Sequence, residues 1–466
     1  MSDIKNRAKL SVAEELAQWV SGLSPSDIPV AAAETARRLL LDVIGLAVAA
    51  RHQDYVAAVL SATDIGGGGA ANQATAFGHV GSFSAFDAAL INGTGAHGED
   101  YDDTFEGGPI HSGAVIVSAV LAACERENLG GDRLLLGIVV GVELMCRLSL
   151  VTPKAMHNAG FHPTAVIGAL AASVAVAAAL GLNASQITSA IGIAGSTASG
   201  IIEYLAEGTW TKRMHAGWAA QAGIRCALLA RGGFLGPRTV LEGAHGFYRA
   251  FAPSRQPAFE YLLDGLGQNW VMETIAFKPY ACGTMTQPYI DCAIELANLG
   301  VDPEQIDTIV CDVGEGTVHR LWEELASKHA PRTPYAAKFS TPFCMAVGFY
   351  DRRAGFGQFT QERIHDPAVL ALARKITYRI DENNEYPNNF TGHLLATMRD
   401  GTTRELKQGY MRGGVHAPLS DTELERKFLD NASYGGWDMA LAETLKSWSY
   451  RVFQDETLKE AVNFRG

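Results

Sequence analysis

Ala165-Val-Ile-Gly-Ala-Leu-Ala-Ala-Ser-Val-Ala-Val-Ala-Ala-Ala-Leu180 is the nearest approach to a membrane span in the chain, and its reading decides the fold. A bilayer requires roughly 20 strongly apolar residues, and this run is shorter, rich in Ala and interrupted by Ser173. It therefore reads as a helix buried in the middle of a helical domain. Segments 132–150, 185–194 and 212–231 carry the same texture, with Gly and Ala at helix-facing positions. Small side chains let helix axes approach closely, so a many-helix domain with a tightly packed centre is predicted.

Toward the N-terminus, Ser11 and Glu14 have the spacing of a capping box ahead of Leu16, Trp19, Val20 and Leu23 at helical intervals. Ser26-Asp27-Ile28-Pro29 breaks the chain, and a second helix runs through Arg37, Leu39, Leu40, Val43 and Leu46. The glycine run 66–69 lacks the Lys-Ser/Thr of a phosphate cradle and a preceding buried strand, so a flexible loop is predicted. Segments 84–96 and 114–123 read as core helices joined by an acidic loop. Beyond Gly265 the texture changes. Residues 306–314 and 376–380 are strand-like, and 394–406 has the pattern of a hairpin turning at Asp400-Gly401, with helices at 289–299, 340–350 and 367–375 between them. The tail turns helical again at the capping box Ser420 to Glu423. The fold class expected is mainly α: an all-helical domain of residues 1–267 and 416–466, and a smaller α+β domain of residues 268–415.

Length and composition agree. At 466 residues one hydrophobic core is rarely enough, while 47% hydrophobic and 19% charged residues describe a compact globular chain. A formal charge of −12 leaves no basic stripe to displace counterions from phosphates, which argues against nucleic acid or an anionic membrane as partner. Seven scattered cysteines without C-x-x-C spacing fit a reducing compartment and spell no metal site. The polar N-terminal segment lacks an apolar signal core, so a cytoplasmic location is expected.

Chemistry concentrates at His97-Gly-Glu-Asp-Tyr-Asp-Asp-Thr-Phe-Glu-Gly-Gly-Pro-Ile-His111, which places two imidazoles and five carboxylates on one turn-rich segment. Such acids can simply cap the helix that follows, since a helix N-terminus favours negative charge. His97, Asp100 and His111 have metal-ligating atom types, but their spacing matches no metal motif. A second cluster is Gly160-Phe161-His162. A third is Thr211-Lys212-Arg213-Met214-His215, whose Lys212 and His215 share one helix face and suit an anionic ligand. Lys278 and Tyr280 stand where the texture shifts, and Lys338 begins a later helix.

Taken together these motifs resemble the MmgE/PrpD family, which includes 2-methylcitrate dehydratase, cis-aconitate decarboxylase and iminodisuccinate epimerase. The resemblance is carried by 92–97, Asp100 to Thr104, His111 to Ala114, Gly160 to His162, Thr211 to His215, Gly233 to Pro237, Leu241 to Gly243, Gly246-Phe247, Lys278 to Tyr280 and Ala337 to Ser340. It implies a homodimer with an active site in the cleft between the two domains and with neither metal nor organic cofactor. It also implies catalytic roles for Asp100, Thr104, His111, His162 and Lys212, and substrate contacts from Lys278, with His215, Tyr280, Gln287 and His97 as further candidates. Phe161 stands where Trp is common and Gln287 where many members have His.

The reactions of that family share the making or quenching of a carbanion beside a carboxylate. A base tuned toward neutral pH removes the proton, which His supplies readily, and cations stabilise the developing charge. His111 and His162 are expected to transfer protons, Asp100 to orient an imidazole or act as a base, and Lys212 and Lys278 to hold carboxylates. The expected function is a lyase or epimerase acting on a small di- or tricarboxylate, with a cis-aconitate-type decarboxylase as the alternative. From another class, a non-catalytic helical protein would use the acidic loop and basic turn for subunit contact. It requires Lys212, His111 and Asp100 to lie apart on the surface.

Overall fold

The computed structural model describes residues 10–63 and 73–466. The glycine run 66–69 lies outside them, as does the polar start of the chain. Two compact units emerge. One gathers residues up to Gly98, Asp102–Ile275 and Phe428–Gly466; the other gathers Glu99–Tyr101 and Ala276–Lys427. The chain thus passes between units at 275/276 and 427/428, against the sequence-based limits of 268 and 415, and residues 99–101 belong to the second unit.

The first unit is helical. Its main elements are α1 (Val12–Gly22), α2 (Val30–Ala49), α3 (Ala85–His97), α4 (Ser112–Glu127), α5 (Gly131–Leu150), α6 (Pro163–Ala179), α7 (Ala184–Thr197) and α8 (Thr211–Arg231). The capping box ahead of α1 forms as read, Ser11 Oγ accepting from Glu14 N–H and the Glu14 carboxylate accepting from Ser11 N–H at 2.7 Å. All 17 residues of α6 are buried, which is why that run is apolar on every face. Among the described residues no helix is long and apolar enough to cross a membrane.

Helix α8 packs against α6 and α3, and glycine sets how closely. A Cβ placed on Gly217 would lie 2.2 Å from the Leu90 carbonyl oxygen and 2.8 Å from Thr94 Oγ1; one on Gly93 would lie 2.6 Å from Gly217 Cα. The backbones of α3 and α8 therefore touch. A buried ion pair fixes another face: Arg147 Nε donates to Glu143 on α5, and its guanidinium also donates to the carbonyls of Asp264 (2.9 Å) and Asn269 (2.7 Å). Glu143 in turn accepts from Met272 N–H at 2.9 Å, so segment 264–272 is stapled to α5. Read along the sequence, Glu143 and Arg147 resemble an ordinary i,i+4 surface pair; burial makes them a clamp, since an unpaired buried charge is strongly destabilising.

The second unit holds a four-stranded sheet of β1 (Ile306–Val313), β2 (Ile376–Ile380), β3 (Gly392–Met398) and β4 (Thr403–Gln408), in the order β2-β1-β3-β4. β1 runs parallel to β2, and β3 and β4 form an antiparallel hairpin. The hairpin turns at Asp400-Gly401 as read, with Gly401 at φ 86°, a conformation glycine adopts without a Cβ penalty. Helices α9 (Gln287–Asn298), α10 (Thr341–Asp351) and α11 (Pro367–Ala373) complete the α+β unit. Then α12 (Asp421–Tyr434), started by the Ser420–Glu423 capping box, and α13 (Met439–Arg451) lead the tail into the helical unit. The sequence pattern does not predict the helix Asp54–Ser61 or the two-residue strands Gln73–Ala74, paired with Phe83–Ser84, and Thr104–Phe105; two residues carry no period.

Substituting Gly217→Ala forces α3 and α8 apart and is expected to cost about 1–3 kcal/mol, as overpacking does, seen as a lowered denaturant midpoint. Gly22→Ala, where nothing lies within 4 Å of the added methyl, serves as control and should change stability by no more than about 0.5 kcal/mol.

Candidate functional site: a buried row of imidazoles

Four histidines of the helical unit stand at helix ends. His97 closes α3, His111 is the residue before α4, His162 is the residue before α6, and His215 opens the second turn of α8. Their rings form a row, with centroids 5.0 Å apart for His97–His111, 5.6 Å for the stacked His97–His162 pair and 5.2 Å for His162–His215. Tyr204 lies edge-on to both His162 and His215. Lys212, one turn before His215 on α8, is buried in the same region and its charge acts on both of those rings.

The loop between α3 and α4 divides its acids sharply. Asp103 caps α4: its carboxylate accepts from Ser112 N–H, Ser112 Oγ–H and Gly113 N–H, each at 2.9 Å. Burial first, then the neighbouring Asp102, pushes its pKa up to about 7 against the pull of those donors. Asp102 faces the other way. Its Oδ2 lies 2.7 Å from His97 Nδ1 and its Oδ1 3.6 Å from His111 Nδ1. His111 Nδ1 is also 2.7 Å from the Asp103 carbonyl oxygen. A carbonyl can only accept, so His111 carries a proton on Nδ1. Its backbone N–H donates to Thr164 Oγ1 at 3.2 Å. Thr104 is buried two residues after Asp102.

Further along the row, His162 Nδ1 and His215 Nδ1 are 3.1 Å apart. Burial above all, then the charges of His97, Lys212, His215 and His111, hold His162 well below the usual imidazole range. Burial, His97 and Lys212 bring His215 down to about 4. Two neutral rings meeting nitrogen to nitrogen share one proton: one is the Nδ1–H tautomer and the other the Nε2–H tautomer. A helix N-terminus disfavours a cation as well, so the geometry keeps these imidazoles unprotonated near pH 7.

Within the α+β unit the expected substrate contacts are already engaged. Lys278, almost wholly buried, donates to the Asp100 carbonyl at 3.1 Å, and Tyr335 donates to the Asp100 carboxylate at 2.8 Å. Asp100 itself adopts φ 55°. Lys338 pairs with Glu99 Oε2 at 3.1 Å and also donates to the Ala281 carbonyl. Tyr280 donates to Asp291 at 2.5 Å. Gln287 is fully buried and its amide donates to the carbonyls of Tyr280 (3.2 Å) and Cys282 (3.3 Å), clasping the turn after Lys278. Lys278, Tyr335 and Lys338 therefore hold segment Glu99–Tyr101 in its conformation. Sequence reading passed over Tyr335 and gave Lys338 little weight, because neither sits in a motif dense in titratable groups.

His97, Asp102 and His111 each bring one potential ligand atom within 4.8 Å of the others. In atom type such a set suits a divalent cation. The 2.7 Å separation of His97 Nδ1 from Asp102 Oδ2 is a hydrogen-bond length, so these two groups form a carboxylate–imidazole pair through Nδ1, and a cation would be met through His97 Nε2.

A large helical unit with a buried imidazole row, followed by a smaller α+β unit, is the class of protein that fold and site define. The MmgE/PrpD N-terminal domain matches residues 14–260 and the MmgE/PrpD C-terminal domain residues 280–442. The chain belongs to the MmgE/PrpD family. Among curated relatives, cis-aconitate decarboxylase of Aspergillus terreus is 29% identical over 452 residues, covering 91% of this chain and 89% of that one. The cis-aconitate decarboxylases of Mus musculus and Homo sapiens are 28% and 29% identical, each covering 74% of this chain and 71% and 72% of their own.

The depressed imidazoles make stability depend on pH with a definite sign. The unfolded chain binds a proton at His215 below about pH 6.5, whereas the folded chain does so only near 4, so this residue withdraws stability as pH falls from 6.5 toward 4. Asp103, raised to about 7, acts oppositely, adding stability as pH falls from 7 toward 4. The difference between wild type and His215→Gln cancels the Asp103 contribution. Denaturant melts at pH 7, 6, 5 and 4 should show the variant gaining on wild type as the medium becomes more acidic.

Proposed function

We propose that this protein is a cofactor-independent lyase or epimerase that moves a proton on the carbon beside a carboxylate of a small di- or tricarboxylate. One observation carries the reading: in the helical unit, His162, His215 and Lys212 group together as buried side chains, and the half-buried His111 joins the same row of rings through His97. A subunit-contact role for the basic turn would need Lys212 exposed, and it is not.

The chemistry follows from the proton placements. His111, with its proton on Nδ1, has Nε2 available to accept a proton from carbon, and the C–H electron pair then delocalises into the adjacent carboxylate. Lys212 supplies positive charge for the dianion that forms, in surroundings where such stabilisation is worth more than in water. His162, neutral and weakly basic, returns a proton readily once it has one, which suits reprotonation of carbon or departure of a hydroxyl. The carboxylate-holding role that family resemblance assigns to Lys278 belongs to the same proposal. Decarboxylation of a substrate of the cis-aconitate type is the second reading, favoured by the names of the Aspergillus terreus, mouse and human relatives; there the same groups quench the carbanion left by carbon dioxide. Membership of a homodimer and a cytoplasmic location complete the proposal.

Incubation with a panel of di- and tricarboxylates in deuterium oxide, followed by NMR, tests it. Deuterium entering an α-carbon without net product indicates epimerisation, a new vinyl proton indicates elimination, and loss of one carboxyl carbon indicates decarboxylation. His111→Gln should lower kcat/KM on whichever compound reacts by about 10²–10⁴. A panel in which nothing exchanges or turns over contradicts the substrate class. Activity should persist after exhaustive chelation, and its abolition, restored by added divalent cation, would contradict a metal-free reaction.

A further inference from the structure

Resting on that reading, we propose that Asp102 is a positioning residue that sets the proton placement and ring orientation of both His97 and His111, so that each presents an unprotonated Nε2. Asp102 is fully buried, and a carboxylate taken out of water persists only where its oxygens meet donors or cations. Its Oδ2 is 2.7 Å from His97 Nδ1, which places that ring's proton on Nδ1. Among the described residues His97 Nε2 is buried without a hydrogen-bond partner, so a ring that carries one proton presents its lone pair there. On the other side, Oδ1 lies 3.6 Å from His111 Nδ1. That is too long to be the ring's acceptor, a place taken by the Asp103 carbonyl at 2.7 Å, and short enough for full electrostatic effect on an imidazolium.

The step is balanced. His111 Nε2 takes the proton from carbon, the C–H pair stays with the substrate, and the ring becomes a cation 3.6 Å from a fixed anion. Asp102 neither touches the substrate nor gains the proton. The adjacent Asp103 cannot share this duty, because its two oxygens accept three donors at the start of α4. Groups that meet these two rings include Asp102 at both, the Asp103 carbonyl at His111 and the His162 ring beside His97, and the His97 charge acts on His162 and His215, as that of Lys212 does; of the two loop aspartates, Asp102 is the one whose carboxylate does not cap α4.

The test uses Asp102→Asn and histidine-15N NMR of the whole chain. In wild type, the His97 and His111 rings should both show the Nδ1–H tautomer at neutral pH. In the variant an amide replaces the anion, and three changes are expected: altered tautomer signals at His97, a loss in kcat of about 10²–10⁴ with KM little changed, and an acid limb of kcat/KM displaced downward by about one pH unit or more. A purely structural carboxylate would lower the melting temperature while leaving the acid limb and tautomers in place, and that result overturns the proposal. Should Asp102→Asn fail to fold, wild-type spectra still decide: a His97 or His111 ring protonated on Nε2 alone refutes it. Absence of turnover in wild type counts against the enzymatic reading, and the tautomer signals judge Asp102 independently of it.

Discussion

Two adjacent aspartates with opposite duties underlie the organisation of the helical unit. Asp103 satisfies the first N–H groups of α4 and so fixes where that helix begins; Asp102 satisfies an imidazole at the end of α3. Neighbouring residues on an extended turn point in opposite directions, so one short segment both terminates the polar needs of a helix and orients a histidine. If either were exchanged for an apolar residue, buried donors would be stranded at a cost of about 1–3 kcal/mol each.

The imidazole row depends equally on how closely the helices approach. His97 and His215 sit on α3 and α8, whose backbones meet at Gly93 and Gly217; a side chain at either would widen the row. Helix ends supply the rest of the electrostatics. His162 lies at a positive N-terminal end, His215 stands in the second turn of α8, and both are buried near Lys212. Each of these effects penalises the imidazolium. The same field that keeps the rings neutral invites an anion, so arrival of a carboxylate is the event that releases the constraint.

Much of this was legible in the chain. The Ala-rich run ending at Leu180, the capping boxes at Ser11 and Ser420, and the Asp400-Gly401 hairpin each follow from local rules, and each forms where those rules place it. Density of titratable groups also pointed to the loop between His97 and His111. What sequence could not show was which acid meets which imidazole. Asp100, expected to orient an imidazole, accepts from Tyr335, 235 residues away, while Asp102, taken for a helix cap, meets His97 and His111. Pairing of His162 with His215 spans 53 residues and depends on helix packing. Gln287 and Lys278 stand out by family pattern, yet their amide and ammonium groups donate to backbone carbonyls of a turn and of the Glu99–Tyr101 segment; backbone acceptors leave no trace in a sequence.

The central claim is that the buried His162–His215 pair, held neutral by its surroundings, is poised to take a proton when a carboxylate ligand arrives. Calorimetric titration with a tricarboxylate such as citrate, repeated at pH 7 in buffers of different ionisation enthalpy, measures the protons taken up on binding. An anion beside an imidazole favours its charged form, so the account predicts net uptake approaching one proton per site, reduced when His162 is replaced by Gln. Binding with no proton uptake in the wild-type protein would contradict it.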